Sequence, residues 1–330
     1  MKAVILPRFG GPEVFAWRDM PVPRARPGEI VLRARAAALN YADLLQRRGT
    51  YGIEQNLPRI IGYECSGTVA EVGAGVTGWC VGDEACALVS EGAYAEFVVA
   101  PAAQVLPVPK GIDLLAAAAL PEAACTVWSN VFDLGALNPG ESLLVHGGAG
   151  GIGSFAIQAA KAIGVRVFAT AGSPDKLQRC RDFGADRAIS YAEEDFAAVI
   201  EAETGGRGVD VILDNMGAAY LDRNVAALAS DGRIVMIGLQ GGREATIALG
   251  TMMRKRASLF TTSLRDRPPQ AKARILAGVL RDLWPHLASR AIAPVIDRSF
   301  PLAEAEAAHR YMESGSHVGK ILLTCPEAPG

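Results

Sequence analysis

The chain has 330 residues, of which 50% are apolar and 21% charged, with a formal net charge of −2. That length carries two domains with cores of their own, and that apolar fraction excludes disorder as a general description. A near-neutral charge without a sustained basic stripe excludes an obligate nucleic-acid or polybasic membrane partner and points to a small substrate.

Met1-Lys-Ala-Val-Ile-Leu-Pro reads as a first strand, because the apolar stretch is too short for a signal peptide and Pro7 and Arg8 follow at once. The longest apolar region, residues 114–128, is interrupted by Pro121 and Glu122, so no membrane span is expected and a cytoplasmic location is. Short alternating runs at 30–36, 67–72 and 93–99 are separated by turn residues at 27–28, 73–75 and 81–83. They predict a mostly antiparallel β domain with one helix from Tyr41 to about Arg47. Ala116–Ala119 is a helix-prone stretch.

From about Ala123 the pattern changes to strand and helix in alternation. Leu143, Leu144 and Val145 form an apolar run suited to a strand buried on both faces. Gly148-x-Gly150-x-x-Gly153 follows, with Gly151 and Ile152 inside it. Such a loop turns tightly, lets backbone approach a pyrophosphate, and seats the next helix, 151–163, with its N-terminal amides toward the anion. The second strand, 165–171, ends at Gly172 and Ser173 without an acid.

A carboxylate there binds a ribose 2′-hydroxyl and repels a 2′-phosphate. Here Ser173 offers a hydroxyl and Lys176 a point charge, so NADPH is the expected cofactor, with Asp175 assigned to the first turn of a helix. Strands near Leu143, Val167, Ala188, Val211, Ile234 and Leu259 make a six-stranded doubly wound parallel sheet. Its strand ends bring Tyr191, Asn215, Met216, Gly238, Leu239 and Gln240 toward the cofactor.

Arg254-Lys-Arg256 reads as a solvated loop before the sixth strand. A helix at 268–287, an extended piece at 294–299, a helix at 303–312 and a strand at 319–325 complete the chain. The six cysteines contain no CxxC pair, which suggests neither a zinc ribbon nor a disulfide framework, and the four histidines do not group. His146, ending the first strand of the parallel sheet, reads as a hydrogen-bonded strand-end histidine.

The segments Ala38-Leu-Asn-Tyr-Ala-Asp-Leu, Gly62-Tyr-Glu-Cys-Ser-Gly-Thr-Val, Leu120-Pro-Glu-Ala, the glycine loop, Leu213-Asp-Asn-Met-Gly and Val318-Gly-Lys-Ile-Leu together resemble the medium-chain dehydrogenase/reductase superfamily. Within it the chain is similar to the zinc-free NADPH:quinone oxidoreductases, most of all the branch of the tumour-suppressor-induced quinone oxidoreductase. The resemblance implies a doubly wound Rossmann domain (123–265) and a GroES-like, mostly antiparallel β domain formed by 1–122 and 266–330. It also implies a homodimer or tetramer, paired through the 257–263 strand.

Zinc alcohol dehydrogenases of that superfamily place metal ligands where this chain has Asn40 and Tyr63, which cannot complete a sulfur and imidazole site. Hydride transfer to a quinone or α,β-unsaturated carbonyl is therefore expected, with hydrogen-bond donors stabilising the oxyanion. By resemblance Tyr51, Asn40 and Tyr63 are the catalytic candidates. Asn40, Thr126 and Lys320 join the cofactor-binding set, and Trp128 stands beside Thr126. The alternatives are an enone, enal or enoyl-thioester reductase, for which Arg47, Arg48 and Arg59 would form a basic rim, and a crystallin-type NADPH-binding interaction protein.

Overall fold

The structure, a computed structural model, describes residues 1–51 and 56–326. The chain divides into two compact units. One comprises Met1–Ala123, Pro268–Ala288 and Pro294–Gly330; the other comprises Ala124–Arg267 and Ser289–Ala293. Ser289–Ala293 belongs to the second unit because the Gln158 side chain takes the Ala293 carbonyl at 3.1 Å and its N–H at 2.9 Å.

In the first unit a seven-stranded sheet runs Ile296–Pro301, Lys320–Thr324, Glu29–Ala38, Glu64–Val72, Glu84–Leu88, Val105–Pro107, with Phe97–Pro101 also paired to Glu29–Ala38. Its pairings are antiparallel except for the first two strands, which are parallel, so the sheet is mixed. Lys2–Leu6 pairs with Ala16–Asp19 and Arg59–Ile60 in a smaller sheet. Leu6, Ile30, Leu32, Leu39, Ile61 and Tyr94 fill the core.

The ten-residue Glu29–Ala38 strand sits centrally and organises the site. Both Lys320–Thr324 and Glu64–Val72 run antiparallel to it, with Leu322 opposite Ala38 and Cys65 opposite Ala37. Chain leaving Ala38 therefore emerges beside the first residues of both neighbours, Glu64 and Lys320. It then enters the Tyr41–Arg48 helix, whose end is closed by Gly49 in the left-handed conformation.

The second unit is a parallel sheet in the order Arg187–Ser190, Arg166–Ala171, Ser142–Val145, Val209–Asp214, Leu228–Met236, Ser258–Thr261. This is the doubly wound order 3-2-1-4-5-6, with its switch point between Ser142–Val145 and Val209–Asp214. Leu143, Leu144 and Val145 are completely buried, as a central parallel strand covered on both faces requires.

Two readings of the sequence are corrected. The basic run at 254–256 closes a helix, Leu249–Lys255. The Lys255 ammonium donates to the carbonyls of Val225, Ala226 and Leu228, satisfying the C-terminal end of the Ala218–Ala227 helix. The single helix expected over 268–287 is two, Pro269–Asp282 and Trp284–Ala288. Pro285 supplies no N–H to the turn before it and its ring obstructs continuation.

Candidate functional site

In the second unit the glycines are fixed by packing. A Cβ at Gly153 would lie 2.3 Å from the Gly147 carbonyl oxygen, and one at Gly148 would lie 2.8 Å from both the Ala169 Cβ and the Cys180 Sγ. The loop can therefore run against the strand only without side chains. Gly150 caps the Gly151–Ala162 helix, whose first amides remain available to an anion.

At the end of the Arg166–Ala171 strand, Ser173 caps the Pro174–Asp182 helix and accepts from the Lys176 N–H at 3.4 Å. Asp175 is exposed in the first turn. The Tyr191 hydroxyl lies over Gly172, where a Cβ would come within 2.1 Å of it. After Val209–Asp214, the buried Asp214 carboxylate takes the N–H groups of Met216 and Gly217 and folds the chain back, and burial pushes its pKa up to about 6. The Asn215 carbonyl receives the Gln240 N–H at 3.2 Å and lies 2.8 Å from where a Gly238 Cβ would be.

The carboxyl edge of this sheet thus gathers Gly148, Gly150, Gly151, Ile152, Gly153, Gly172, Ser173, Lys176, Tyr191, Asn215, Met216, Gly238, Leu239 and Gln240. Thr126 lies on the Pro121–Val127 helix, where its carbonyl accepts from the Asn130 amide at 2.7 Å. His146 is buried, with Nδ1 3.1 Å from the Thr170 hydroxyl and Nε2 2.7 Å from Asn224 Oδ1. Because the Asn224 oxygen only accepts, Nε2 carries the proton.

In the first unit Asn40, Glu64 and Lys320 form one cluster, each less than 10% exposed. The Lys320 ammonium donates to Asn40 Oδ1 at 2.6 Å and to Glu64 Oε1 at 2.5 Å. The Asn40 amide donates to Glu64 Oε1 at 2.9 Å, and the Glu122 N–H to Glu64 Oε2 at 2.8 Å. Asn40 occupies the cap position of the Tyr41–Arg48 helix, yet its side chain serves this cluster instead. Its backbone exchanges hydrogen bonds with Asp43: Asn40 N–H to Asp43 Oδ2 at 2.8 Å, and Asp43 N–H to the Asn40 carbonyl at 2.9 Å.

Asp43 is completely buried, which raises its pKa to about 8 against the Asn40 N–H and the Lys320 charge. Tyr63 is buried, and the Tyr51 ring lies 6.3 Å from it at 48°. Sequence reasoning missed Glu64 and Asp43; the spacing Asn-x-x-Asp at the start of a helix is the signal that points to Asp43.

This cluster does not fit a catalytic zinc. A neutral amide and a phenol stand at the ligand positions, the Lys320 ammonium occupies the same cluster, and among the described residues no group of three or more His, Cys, Asp or Glu is arranged to hold a metal ion. Nor do the three arginines form a rim. Arg47 is completely buried, Arg48 pairs with Glu313, and Arg59 pairs with Glu91.

A doubly wound sheet with a glycine-built switch point, joined in one chain to a mixed β unit carrying a buried polar cluster, defines a two-unit dinucleotide-dependent oxidoreductase. The alcohol dehydrogenase GroES-like domain family matches residues 26–110 and the zinc-binding dehydrogenase family residues 151–277. A 2-haloacrylate reductase from Burkholderia is 30% identical over 97% of this chain and 98% of its own length. The rat quinone oxidoreductase is also 30% identical, over 98% of this chain and 97% of its own. The structure of Escherichia coli quinone oxidoreductase complexed with NADPH superposes with a TM-score of 0.88 at 29% identity, covering 98% of this chain and all of that one. The chain belongs to the medium-chain dehydrogenase/reductase superfamily of oxidoreductases.

Proposed function

We propose that this protein is an NADPH-dependent reductase that transfers hydride to a quinone or a related conjugated carbonyl without a metal. The observation that carries the cofactor is the end of the Arg166–Ala171 strand. A Ser173 cap and Lys176 stand there, and the one nearby acid, Asp175, faces outward in the helix. A 2′-phosphate is served by that hydroxyl and charge and meets no carboxylate at the strand end. The NADPH-bound Escherichia coli relative supports the same cofactor.

NADPH, when bound, supplies the hydride. The chain's own residues hold it and settle the negative charge that develops on the acceptor oxygen. The glycine loop and the Gly151–Ala162 helix take the pyrophosphate. Asn40, Thr126, Asn215, Met216, Gly238, Leu239, Gln240 and Lys320 complete the cofactor-binding set, and Tyr191 faces the adenosine end. Tyr51 and Tyr63 are the phenol donors to the acceptor oxygen, and Lys320 adds a fixed positive charge behind Asn40. A substrate that conjugates the incoming charge needs no Lewis acid, which agrees with the unsuitable metal donors of the Asn40 cluster.

A second reading, reduction of a conjugated carboxylic acid or enone, draws support from the Burkholderia 2-haloacrylate reductase. An enoyl-thioester substrate is disfavoured by Arg47, which lies in the core instead of on a rim. Among the described residues, no helix is long and apolar enough to cross a membrane. A homodimer in a cytoplasmic setting, paired at the Ser258–Thr261 edge strand, completes the proposal.

The test is steady-state oxidation of NADPH and NADH with a panel of quinones, enones and 2-haloacrylate. Turnover with NADPH favoured over NADH is expected, with quinones the better acceptors. Tight NADPH binding without turnover on any acceptor would leave the interaction-protein alternative instead.

A further inference from the structure

Just after Thr126 the helix changes its winding. Trp128–Leu134 is a π-helix, with the Gly135 N–H donating to the Asn130 carbonyl, five residues back, at 2.9 Å. Its first residues, Trp128, Ser129, Asn130 and Val131, are buried. The segment lies against the fourth and fifth strands of the doubly wound sheet. Arg233, on Leu228–Met236, donates from Nε to the Gly135 carbonyl at 2.8 Å, and a Cβ at Gly135 would lie 3.1 Å from Val211 Cγ1, on Val209–Asp214.

The Asn130 side chain accounts for the change. Its Nδ2 donates to the Thr126 carbonyl at 2.7 Å and to Ser129 Oγ at 3.2 Å, and the Ser129 hydroxyl turns to the same carbonyl at 3.4 Å. A carbonyl only accepts, so the nitrogen of the Asn130 amide must be the atom that faces Thr126, and the amide has one orientation. A carbonyl supplied by side chains has no need of the N–H four residues on, which is the bond a widened turn gives up. This orientation leaves Asn130 Oδ1 buried and without a donor among the described residues. Burying an unpaired acceptor lowers stability, so folding alone does not account for an amide here.

We propose that Asn130 is a positioning residue that fixes Thr126 for the nicotinamide half of the cofactor; this rests on the reading of Thr126 as a cofactor-binding residue. With the 2′-phosphate assigned to Ser173 and Lys176 beside Arg166–Ala171, a dinucleotide crossing the switch point carries its nicotinamide toward Val209–Asp214 and Leu228–Met236. Those are the strands that anchor the π-helix. Asn130 ties the last turn of the Pro121–Val127 helix to the first widened turn, so the angle at which Thr126 is presented depends on one amide. Asn130 acts through Thr126 and needs no contact with the cofactor.

The test is calorimetric titration of the whole protein with NADPH and with 2′-phospho-ADP-ribose, which keeps the phosphorylated adenosine and the pyrophosphate but lacks nicotinamide. Asn130→Leu removes the donor together with the unpaired acceptor. It should melt no lower than the parent, bind NADPH roughly tenfold more weakly, the effect of about one hydrogen bond, and bind the fragment unchanged. Asn130→Ser should keep NADPH affinity, because a serine hydroxyl reaches the carbonyl four residues back. Asn130→Ala should not, and this smaller pair decides the matter if the leucine variant does not fold. Thr126→Val should weaken NADPH by a similar factor, and adding Asn130→Leu to it should cost nothing more. Parent-like NADPH affinity in Asn130→Leu beside a weakened Thr126→Val would overturn positioning, as would equal losses for both ligands. Parent-like affinity in Thr126→Val would remove the role of Thr126 and the proposal with it. The titrations use no acceptor, so inactivity on every quinone and enone would refute the reductase reading and leave the positioning of Thr126 decided by them.

Discussion

The Lys320 ammonium lies 2.6 Å from Asn40 Oδ1, although 280 positions separate the two residues in the chain. Only the antiparallel placement of Lys320–Thr324 and Glu64–Val72 on either side of Glu29–Ala38 brings them together. The contact also fixes the Asn40 amide: its oxygen faces a cation and its nitrogen faces the Glu64 carboxylate. An amide held in this way presents one orientation, which is what a pre-organised site demands.

Lys320→Met removes a buried cation and leaves the Glu64 carboxylate without its charge partner. Breaking one side of a buried pair costs about 3–5 kcal/mol, and neutralising both sides costs far less. The single variant should therefore lose that much stability in urea denaturation, and Lys320→Met with Glu64→Gln should recover most of it. Equal losses in the single and double variants would show that the pair is not the source.

Two glycines of the same loop should respond differently to alanine. At Gly153 a Cβ meets the Gly147 carbonyl oxygen at 2.3 Å, so Gly153→Ala must push the helix from the strand and lower the stability of the second unit. At Gly150 the nearest atom is 3.4 Å away, and φ is −77°, so Gly150→Ala should fold like the parent. Its methyl group would nevertheless stand between backbone and pyrophosphate, weakening NADPH by about tenfold or more. Thermal melts paired with cofactor titration separate the two effects.

Lys176→Ala removes the charge assigned to the 2′-phosphate. NADPH affinity should fall by about tenfold while NADH affinity hardly moves, because only one of them carries the phosphate. Ser173→Ala should reduce NADPH affinity as well, and it should also cost about 1 kcal/mol of stability through loss of the helix cap. Calorimetric titration with both cofactors is the measurement; an equal loss for NADPH and NADH at Lys176→Ala would remove the assignment.

What the sequence discloses follows from distance along the chain. The glycine loop and the six strands are legible because each is specified by residues within a few positions of one another, with apolar runs marking buried strands. Glu64 is not legible as a site residue. Its partners Asn40, Glu122 and Lys320 lie 24, 58 and 256 positions away, on elements that only tertiary pairing unites. The basic run at 254–256 is opaque for the same reason: nothing near Lys255 in the chain announces the carbonyls of residues 225, 226 and 228 that its ammonium meets. Pro285, by contrast, marks in the sequence itself where the Pro269–Asp282 and Trp284–Ala288 helices divide.

His146 gives the second unit an acid limb. It packs edge-on against Phe196 and Tyr220, each 4.8 Å away, and burial pushes its pKa down to about 4; the Asn224 hydrogen bond opposes the shift and Arg223 adds to it. An unfolded histidine takes its proton near 6.5, so the folded value is the lower one. Above about pH 6.5 both states are neutral and the group has no effect on stability. As the pH falls from there toward about 4, the unfolded chain binds a proton that the folded unit refuses, and stability drops by up to about 3 kcal/mol. His146→Gln cannot titrate, so it should flatten this limb, even if its stability at neutral pH is lower. Hydrogen exchange of the Ser142–Val145 amides between those pH values reads the second unit separately from the first, which holds the other fully buried histidine, His309. If the variant keeps the parent's acid slope at these amides, His146 is not its cause.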